Sequence, residues 1–448
     1  MNRYSSQYSQ KCVPAEEAVQ IVKSGDVVDY GFFNGKPVVC DIALAARHEE
    51  LRDVEVHVAV TLPPVPEVVK HPESFVYHDL QFSKITRVLQ RDFNVGFYYP
   101  IMYHQAPSWY RDGVAPHRNV VICTVCPMDE HGYFNLGLHN SASLAAMEES
   151  DCVIVEVNPN LPVCPGGAEE AVHISAVDYV VEAPADLALA DLPSPEPNEQ
   201  ERTIAELIVG HITDGSCIQL GIGGMPNAVG KIIAQSDLKN LGGHTEMLSD
   251  AYVDMIESGR MNGSQKSLDR YRVPYTFAMG SKRLYDFVDN NPAAASYPAD
   301  YTNDPRVIAK LDNFVSINNA LQVDLYTQVN AESLGTNQVS GNGGMWDFVI
   351  GSQWSKGGKS FICLTSTFTN SKGELQSRIL PTFAQGSITT IPRHMTDYVV
   401  TEYGAVQVRA QSTWKRAELM ISIAHPDFRE GLIKEAEAMK IWRHSNKK

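Results

Sequence analysis

The chain has 448 residues and a formal net charge of −16, too long for one ordinary hydrophobic core and therefore expected to fold as two or three domains. Its 44% apolar and 20% charged residues are those of a globular protein. The acidic balance excludes a general nucleic-acid binder, which would show a basic face, but not an anionic ligand held by a few local cations and helix N-termini. No apolar run reaches the roughly 18 to 20 residues that span a bilayer. The opening stretch MNRYSSQYSQKCVPAEEAV lacks the apolar centre of a secretory signal, so no membrane partner and a cytoplasmic location are expected.

Apolar spacing from Pro14 to Ile21 predicts a helix, closed off by Gly25. A strand follows over Asp26 to Tyr30, then the turn GFFNGKP, Gly31 to Pro37. Val54 to Val60, Asn119 to Val125 and Cys152 to Val157 are short β-branched runs of the kind that form buried parallel strands. Two loops leave these strands, Pro127 to Gly137 and Val157 to Gly167; His131 and His139 lie in or near the first and read as loop histidines. Of the eight cysteines only Cys123 and Cys126 form a CxxC, inside an apolar run and without a second pair. Reduced core thiols are expected, and no metal site.

The acidic, proline-rich stretch APADLALADLPSPEPNEQ, Ala183 to Gln200, reads as a linker, dividing the chain into domains 1–195 and 196–448. A helix over Glu201 to Ile212 opens the second half. Cys217 to Leu220 form a strand, Gly221 to Met225 (GIGGM) a tight turn, and a helix with Pro226 in its first turn runs to about Ser236. A second short strand is predicted to end near Glu246. Further strands are expected at Tyr275 to Gly280, Phe314 to Asn318 and Phe361 to Thr365, with SKGGKS (Ser355 to Ser360) as a hairpin turn. SGNGGMWDF, Ser340 to Phe348, is another glycine turn, Asp397 to Val408 a strand with a turn, and helices close the chain over Thr413 to Ala424 and Asp427 to Trp442. The segments SGDVVDYGFFNGKP and DGSCIQLGIGGMP share the order helix, glycine, strand, glycine turn, proline, which points to an internal duplication in an α/β chain.

Glu246 follows the second of these turns at a distance that fits three readings. It would hold a ribose hydroxyl in a dinucleotide fold, although Pro226 stands where the third glycine belongs. It would act as a carboxylate nucleophile, with the N–H groups of the turn facing the oxyanion it creates. Or it is a solvated carboxylate at a strand end.

The motifs LQLGIGGMPNAVG, HTEMLSDAYVDM, GSQKSLDRYR, MGSKRLYDFVDNNP, PADYTNDPRVIA, SGNGGMWDF, YVVTEYGAV and ISIAHPDFR together resemble the glutamate-dependent CoA-transferases of the acetyl-CoA hydrolase/transferase type. The butyryl-CoA:acetate group is the nearer likeness and the 4-hydroxybutyrate group the next. The resemblance covers essentially the whole chain. It implies two similar α/β domains with largely parallel sheets and an active site between them. It implies Glu246 as the nucleophile that attacks an acyl-CoA thioester and then carries CoA as a glutamyl thioester. CoA is thus a covalently carried substrate, and no separate cofactor is expected. The turn residues Gly221, Ile222, Gly223, Gly224 and Met225 are implied for CoA, the N–H groups of Ile222 and Gly344 for the oxyanion, and Gly343, Ile317, Asn319 and Lys372 for lining the CoA site. Acyl-CoA and a short carboxylate are the implied partners, and a homo-oligomer is expected.

The chain departs from the family's usual G-x-G-G-Q-x-D-F at Asn342, Met345 and Trp346, and FFNGKP and NPNLPVCPGG stand where the acyl pocket receives N-terminal contributions. A butyryl-CoA:acetate transferase is therefore the leading expectation, with another short-acyl transferase or an acyl-CoA hydrolase as alternatives.

Overall fold

The β-branched runs become the strands of two parallel sheets, each belonging to its own unit of the chain. The computed structural model describes residues 3–445. One unit holds the chain up to Pro193 together with Glu246–Ser249 and Arg272–Asp304; the other holds Ser194–Thr245, Asp250–Tyr271 and the chain from Pro305 on.

In the first unit the strands are β1 (Val27–Phe32), β2 (Val54–Ala59), β3 (Phe75–Asp79), β4 (Phe97–Tyr98), β5 (Arg118–Val125), β6 (Ser150–Val157) and β7 (Tyr179–Glu182). They lie in the order β4-β3-β2-β1-β5-β6-β7, and every neighbouring pair is parallel. Alternate residues of β5 point to opposite faces. Val121, Cys123 and Val125 join one apolar cluster, and Val120 and Ile122 join another. A sheet buried on both faces needs continuous apolar strands, which is why these runs do not alternate with polar residues.

In the second unit β8 (Cys217–Leu220), β9 (Gly242–Gly243), β10 (Phe314–Asn319), β11 (Lys359–Cys363), β12 (Tyr398–Thr401) and β13 (Gly404–Gln407) lie in the order β9-β8-β10-β11-β12-β13. All pairs are parallel except the closing β12/β13 hairpin. The run β2-β1-β5-β6-β7 of the first sheet and β9-β8-β10-β11-β12 of the second have the same order, with a glycine near the end of β1, at Gly31, and directly after β8, at Gly221. The duplication read in the sequence is therefore a repeated α/β topology.

Several elements differ from expectation, each for a local reason. The helix α1 (Glu199–Val209) starts two residues early because Asn198 and Glu201 close a capping box: the Asn198 side chain accepts from the Glu201 N–H, and the Glu201 carboxylate from the Asn198 N–H, both at 2.9 Å. SKGGKS is a helix-to-strand turn, not a hairpin. It joins α2 (Met345–Trp354) to β11, and because β10 and β11 are parallel their connection must cross over, which α2 does. Tyr275 to Gly280 is two short strands: Val273–Tyr275 pairs with Ala294–Ser296, and Phe277–Ala278 pairs with Met247–Leu248.

That last pairing explains the division of the chain. The sequence reading puts all of 196–448 in one domain, but Met247 and Phe277 lie in the apolar cluster of the first unit with Phe32 and Phe33. The Ser141 N–H also donates to the Thr276 carbonyl at 3.0 Å. Sequence continuity assigns these segments to one side, and apolar packing assigns them to the other.

Candidate functional site

Glu246 does not end a strand. The chain leaves the edge strand β9 at Gly243, passes the buried His244 and Thr245, and reaches Glu246 at the start of the Glu246–Ser249 segment of the first unit. There the Glu246 carbonyl accepts from the N–H groups of Thr276, at 3.0 Å, and Phe277, at 3.2 Å. The side chain is half-buried. The Asn303 amide donates to its Oε2 at 2.6 Å, and the Thr302 hydroxyl donates to Asn303 Oδ1 at 2.9 Å. Thr302 and Asn303 are both fully buried. A flipped amide would set Oδ1 against a carboxylate, so the Glu246 charge fixes which way Asn303 faces.

The first unit also buries a set of aromatic rings that includes Phe277, whose N–H bonds the Glu246 carbonyl. The Phe33 ring stacks on Phe277 with centroids 3.4 Å apart, and Phe32 meets Tyr103 edge-on at 6.4 Å. The Tyr103 hydroxyl lies 2.8 Å from Ser141 Oγ. Burial first, and the Glu246 charge second, push the Tyr103 phenol well above its ordinary value. The residue is held through its backbone carbonyl and through the hydrogen bond that its carboxylate accepts from Asn303.

The second unit brings together five of the residues expected at the CoA turn. Gly221 donates to the Ile317 carbonyl at 2.8 Å, and Asn319 Nδ2 donates to the Ile222 carbonyl at 2.9 Å. Gly223 has φ 126°, and a Cβ there would stand 2.8 Å from Asn319 Nδ2, so this turn requires glycine. The helix that follows, Gly224–Gln235, includes Met225 and Pro226 in its first turn. Beneath the turn the buried Gln219 and Asn318 exchange amide hydrogen bonds at 3.2 Å, and Gln219 Oε1 also accepts from the Ile317 N–H. Sequence reasoning passed over this brace. Its signal was two amide side chains inside otherwise apolar strands.

Residues 1–189 match the acetyl-CoA hydrolase/transferase N-terminal domain, and residues 280–436 match the corresponding C-terminal domain. The butyryl-CoA:acetate CoA-transferase of Anaerostipes caccae is 47% identical over 99% of this chain and 100% of its own. The chain belongs to the acetyl-CoA hydrolase/transferase family. The 4-hydroxybutyrate coenzyme A transferase of Clostridium kluyveri is 37% identical over 96% of this chain and 97% of its own, the order of likeness that the motifs imply. The crystal structure of RipA from Yersinia pestis superposes with a TM-score of 0.90 at 35% identity, covering 97% of this chain and 99% of that one.

Other positions that the family likeness singles out are spread over the second unit. Gly343 (φ 46°) and Gly344 form the turn that leads into α2, where the Phe348 N–H reaches the Gly344 carbonyl at 3.1 Å. Met345 is buried in the apolar cluster of this unit, and Trp346 packs partly buried against it. Lys372 is exposed at the turn between Thr367–Thr369 and Leu375–Ser377, and no hydrogen bond links it to the glycine turn.

The remaining chemistry-bearing residues behave differently. His139 lies in a loop, as expected, but is fully buried, its Nε2 2.7 Å from the Thr124 carbonyl, and burial pushes it down to about 4. Cys123 and Cys126 are buried unpaired thiols whose ionisation burial pushes up. Two histidine–glutamate groups went unnoticed in the sequence, Glu55–His57–His78 and His48–His71–Glu73. In each the two imidazoles stack, at 4.5 Å and 23° and at 3.8 Å and 13°. Near-parallel rings set their nitrogen lone pairs side by side instead of converging them on one ion. No described helix is long and apolar enough to cross a membrane.

Proposed function

We propose that the chain is a short-chain acyl-CoA:carboxylate CoA-transferase, with butyryl-CoA and acetate as the leading donor and acceptor and Glu246 as the nucleophile. The observation that carries this reading is the Glu246 carboxylate itself, half-buried and held at Oε2 by Asn303. The names of the similar transferases support the substrate class.

In this mechanism one oxygen of Glu246 attacks the thioester carbonyl carbon, and the oxyanion so formed is assigned to the N–H groups of Ile222 and Gly344. The C–S bond breaks, CoA leaves as its thiolate, and an acyl-glutamyl anhydride remains. The thiolate then attacks the glutamyl carbonyl, the acyl group departs as its carboxylate, and the enzyme carries CoA as a glutamyl thioester. An acceptor carboxylate reverses the sequence. No net electron transfer occurs and the thioester energy is kept. CoA itself is assigned to Gly221–Met225, Ile317, Asn319, Gly343 and Lys372, and it serves as substrate with no further cofactor. A homo-oligomer and a cytoplasmic location complete the proposal.

Steady-state rates varied in both substrates test it. Parallel reciprocal plots are expected, and intersecting plots rule out release of the first carboxylate before the acceptor binds. The family also includes hydrolases, so thiol release is to be measured with and without acetate. Release that does not depend on the carboxylate would favour water as acceptor.

A further inference from the structure

A cavity of about 30 Å³ lies in the first unit beside the turn that follows β1, bounded in part by Leu62, Pro63 and the Leu187–Ala190 segment. It has room for about two water-sized groups, or for the two oxygens of one carboxylate. Among the described residues Lys36 is the one charged side chain that lines it; Asn34 and Asn158 contribute amides.

Lys36 cannot easily leave. Its carbonyl accepts from Thr124 Oγ1 at 3.2 Å, and it is held between Gly35, against whose backbone the His139 ring packs too closely for a Cβ, and Pro37. Lys36 is only 5% exposed, and among the described residues no hydrogen bond or ion pair reaches its ammonium. The two carboxylates whose charge acts on it are already engaged. Glu156 accepts from the N–H groups of Val38 and Cys40, both at 2.8 Å, and Asp41 accepts from the Glu67 N–H and the Tyr30 hydroxyl. Burial pushes the lysine down from its ordinary value, and the charges of Asp41 and Glu156 pull it part of the way back. An ammonium this far out of bulk water is stabilised by a water or an anion that enters the cavity.

We propose that this cavity is a carboxylate-binding subsite whose charge is supplied by Lys36. Glu246 is not among the residues that line it. Phe33 lines the cavity, and its ring stacks on Phe277, the residue whose N–H bonds the Glu246 carbonyl. The occupant is either a free short monocarboxylate or the distal carboxylate of a dicarboxylic substrate. The two share their chemistry and differ in what they report: the first is a second, non-reacting site for the acceptor class, the second a selectivity site.

The test is thermal unfolding and calorimetric binding on the full chain carrying Glu246→Gln, so that neither turnover nor the integrity of the nucleophile enters. Acetate, succinate and chloride are titrated at constant ionic strength, with and without Lys36→Met. Acetate is expected to raise the melting temperature and to bind about tenfold or more tightly with Lys36 than without it, the loss that follows removal of one charged hydrogen-bond partner. A response to acetate identifies a free monocarboxylate; a response to succinate alone identifies the distal carboxylate. Without carboxylate, Lys36→Met is expected to melt at or above the parent temperature, since it removes an unpaired buried charge. The proposal is overturned if neither carboxylate distinguishes parent from variant, or if chloride acts as strongly as both. Lys36→Gln serves if Lys36→Met does not fold. Loss of transfer in Glu246→Gln bears on the nucleophile alone, and the Lys36 comparison bears on the subsite alone.

Discussion

Asn303 Nδ2 stands 2.6 Å from Glu246 Oε2, although the two residues are far apart in sequence. An amide carries no charge and does not titrate, so it favours the ionised carboxylate without exchanging a proton with it. A donor to the charged form lowers a pKa, and a like charge raises it. Asn303→Ala is therefore expected to move the acidic limb of kcat/KM to higher pH and to lower kcat by roughly a hundredfold, the scale of a misplaced reacting group. Asn303→Asp is expected to move the limb further. A pH–rate series on the two variants checks the order.

Shortening the nucleophile is expected to be nearly as damaging as removing it. Glu246→Asp keeps the charge and withdraws it by one methylene, leaving room for a water where the carboxylate acts as general base. Most transfer is lost and the residual thiol release leans towards hydrolysis, read as the ratio of release without acetate to release with it. Glu246→Gln and Glu246→Ala lose transfer while still retaining CoA.

The glycine turn of the second unit tolerates no side chain at Gly223. Its φ of 126° and the 2.8 Å separation between Asn319 Nδ2 and the place a methyl group would take mean that Gly223→Ala costs about 1–3 kcal/mol of strain. The expected readout is a lowered melting temperature together with weaker CoA binding in calorimetry. Weaker binding without lost stability would locate the effect in the ligand contacts rather than in the backbone.

His139 gives the fold an acid limit. Its pKa falls to about 4 in the folded protein, against about 6.5 unfolded. Between those values the unfolded chain binds a proton that the folded chain does not, so stability is full above about pH 6.5 and falls as the pH drops towards 4. The slope is at most about 1.4 kcal/mol per pH unit for this one group. Denaturant unfolding across that range should show the decline, and His139→Gln should make it shallower.

The strands at Val54, Asn119 and Cys152 were legible because a buried parallel strand leaves an unbroken β-branched run, and the glycine turn because only glycine runs so tightly there. The partition of the chain was not. Nothing local marks Met247 and Phe277 as neighbours of Phe32 and Phe33, because that is a matter of long-range apolar packing. Asn303 and Thr302 were invisible for the same reason: they meet Glu246 only through the fold. His139 read as a loop residue because it follows a polar loop, yet the chain turns it inward onto the Thr124 carbonyl. Nothing in the sequence singles out Lys36, since burial of a charge leaves no trace in its neighbours' spacing.

The central claim is that Glu246 carries CoA. The most direct measurement is peptide mass mapping after brief incubation with butyryl-CoA and acid quench, with borohydride reduction as a parallel arm. A CoA adduct on the peptide containing Glu246, lost on adding acetate and converted to an alcohol by borohydride, is the predicted result. An unmodified Glu246 in protein that is turning over, or an adduct that persists in Glu246→Ala, would contradict it.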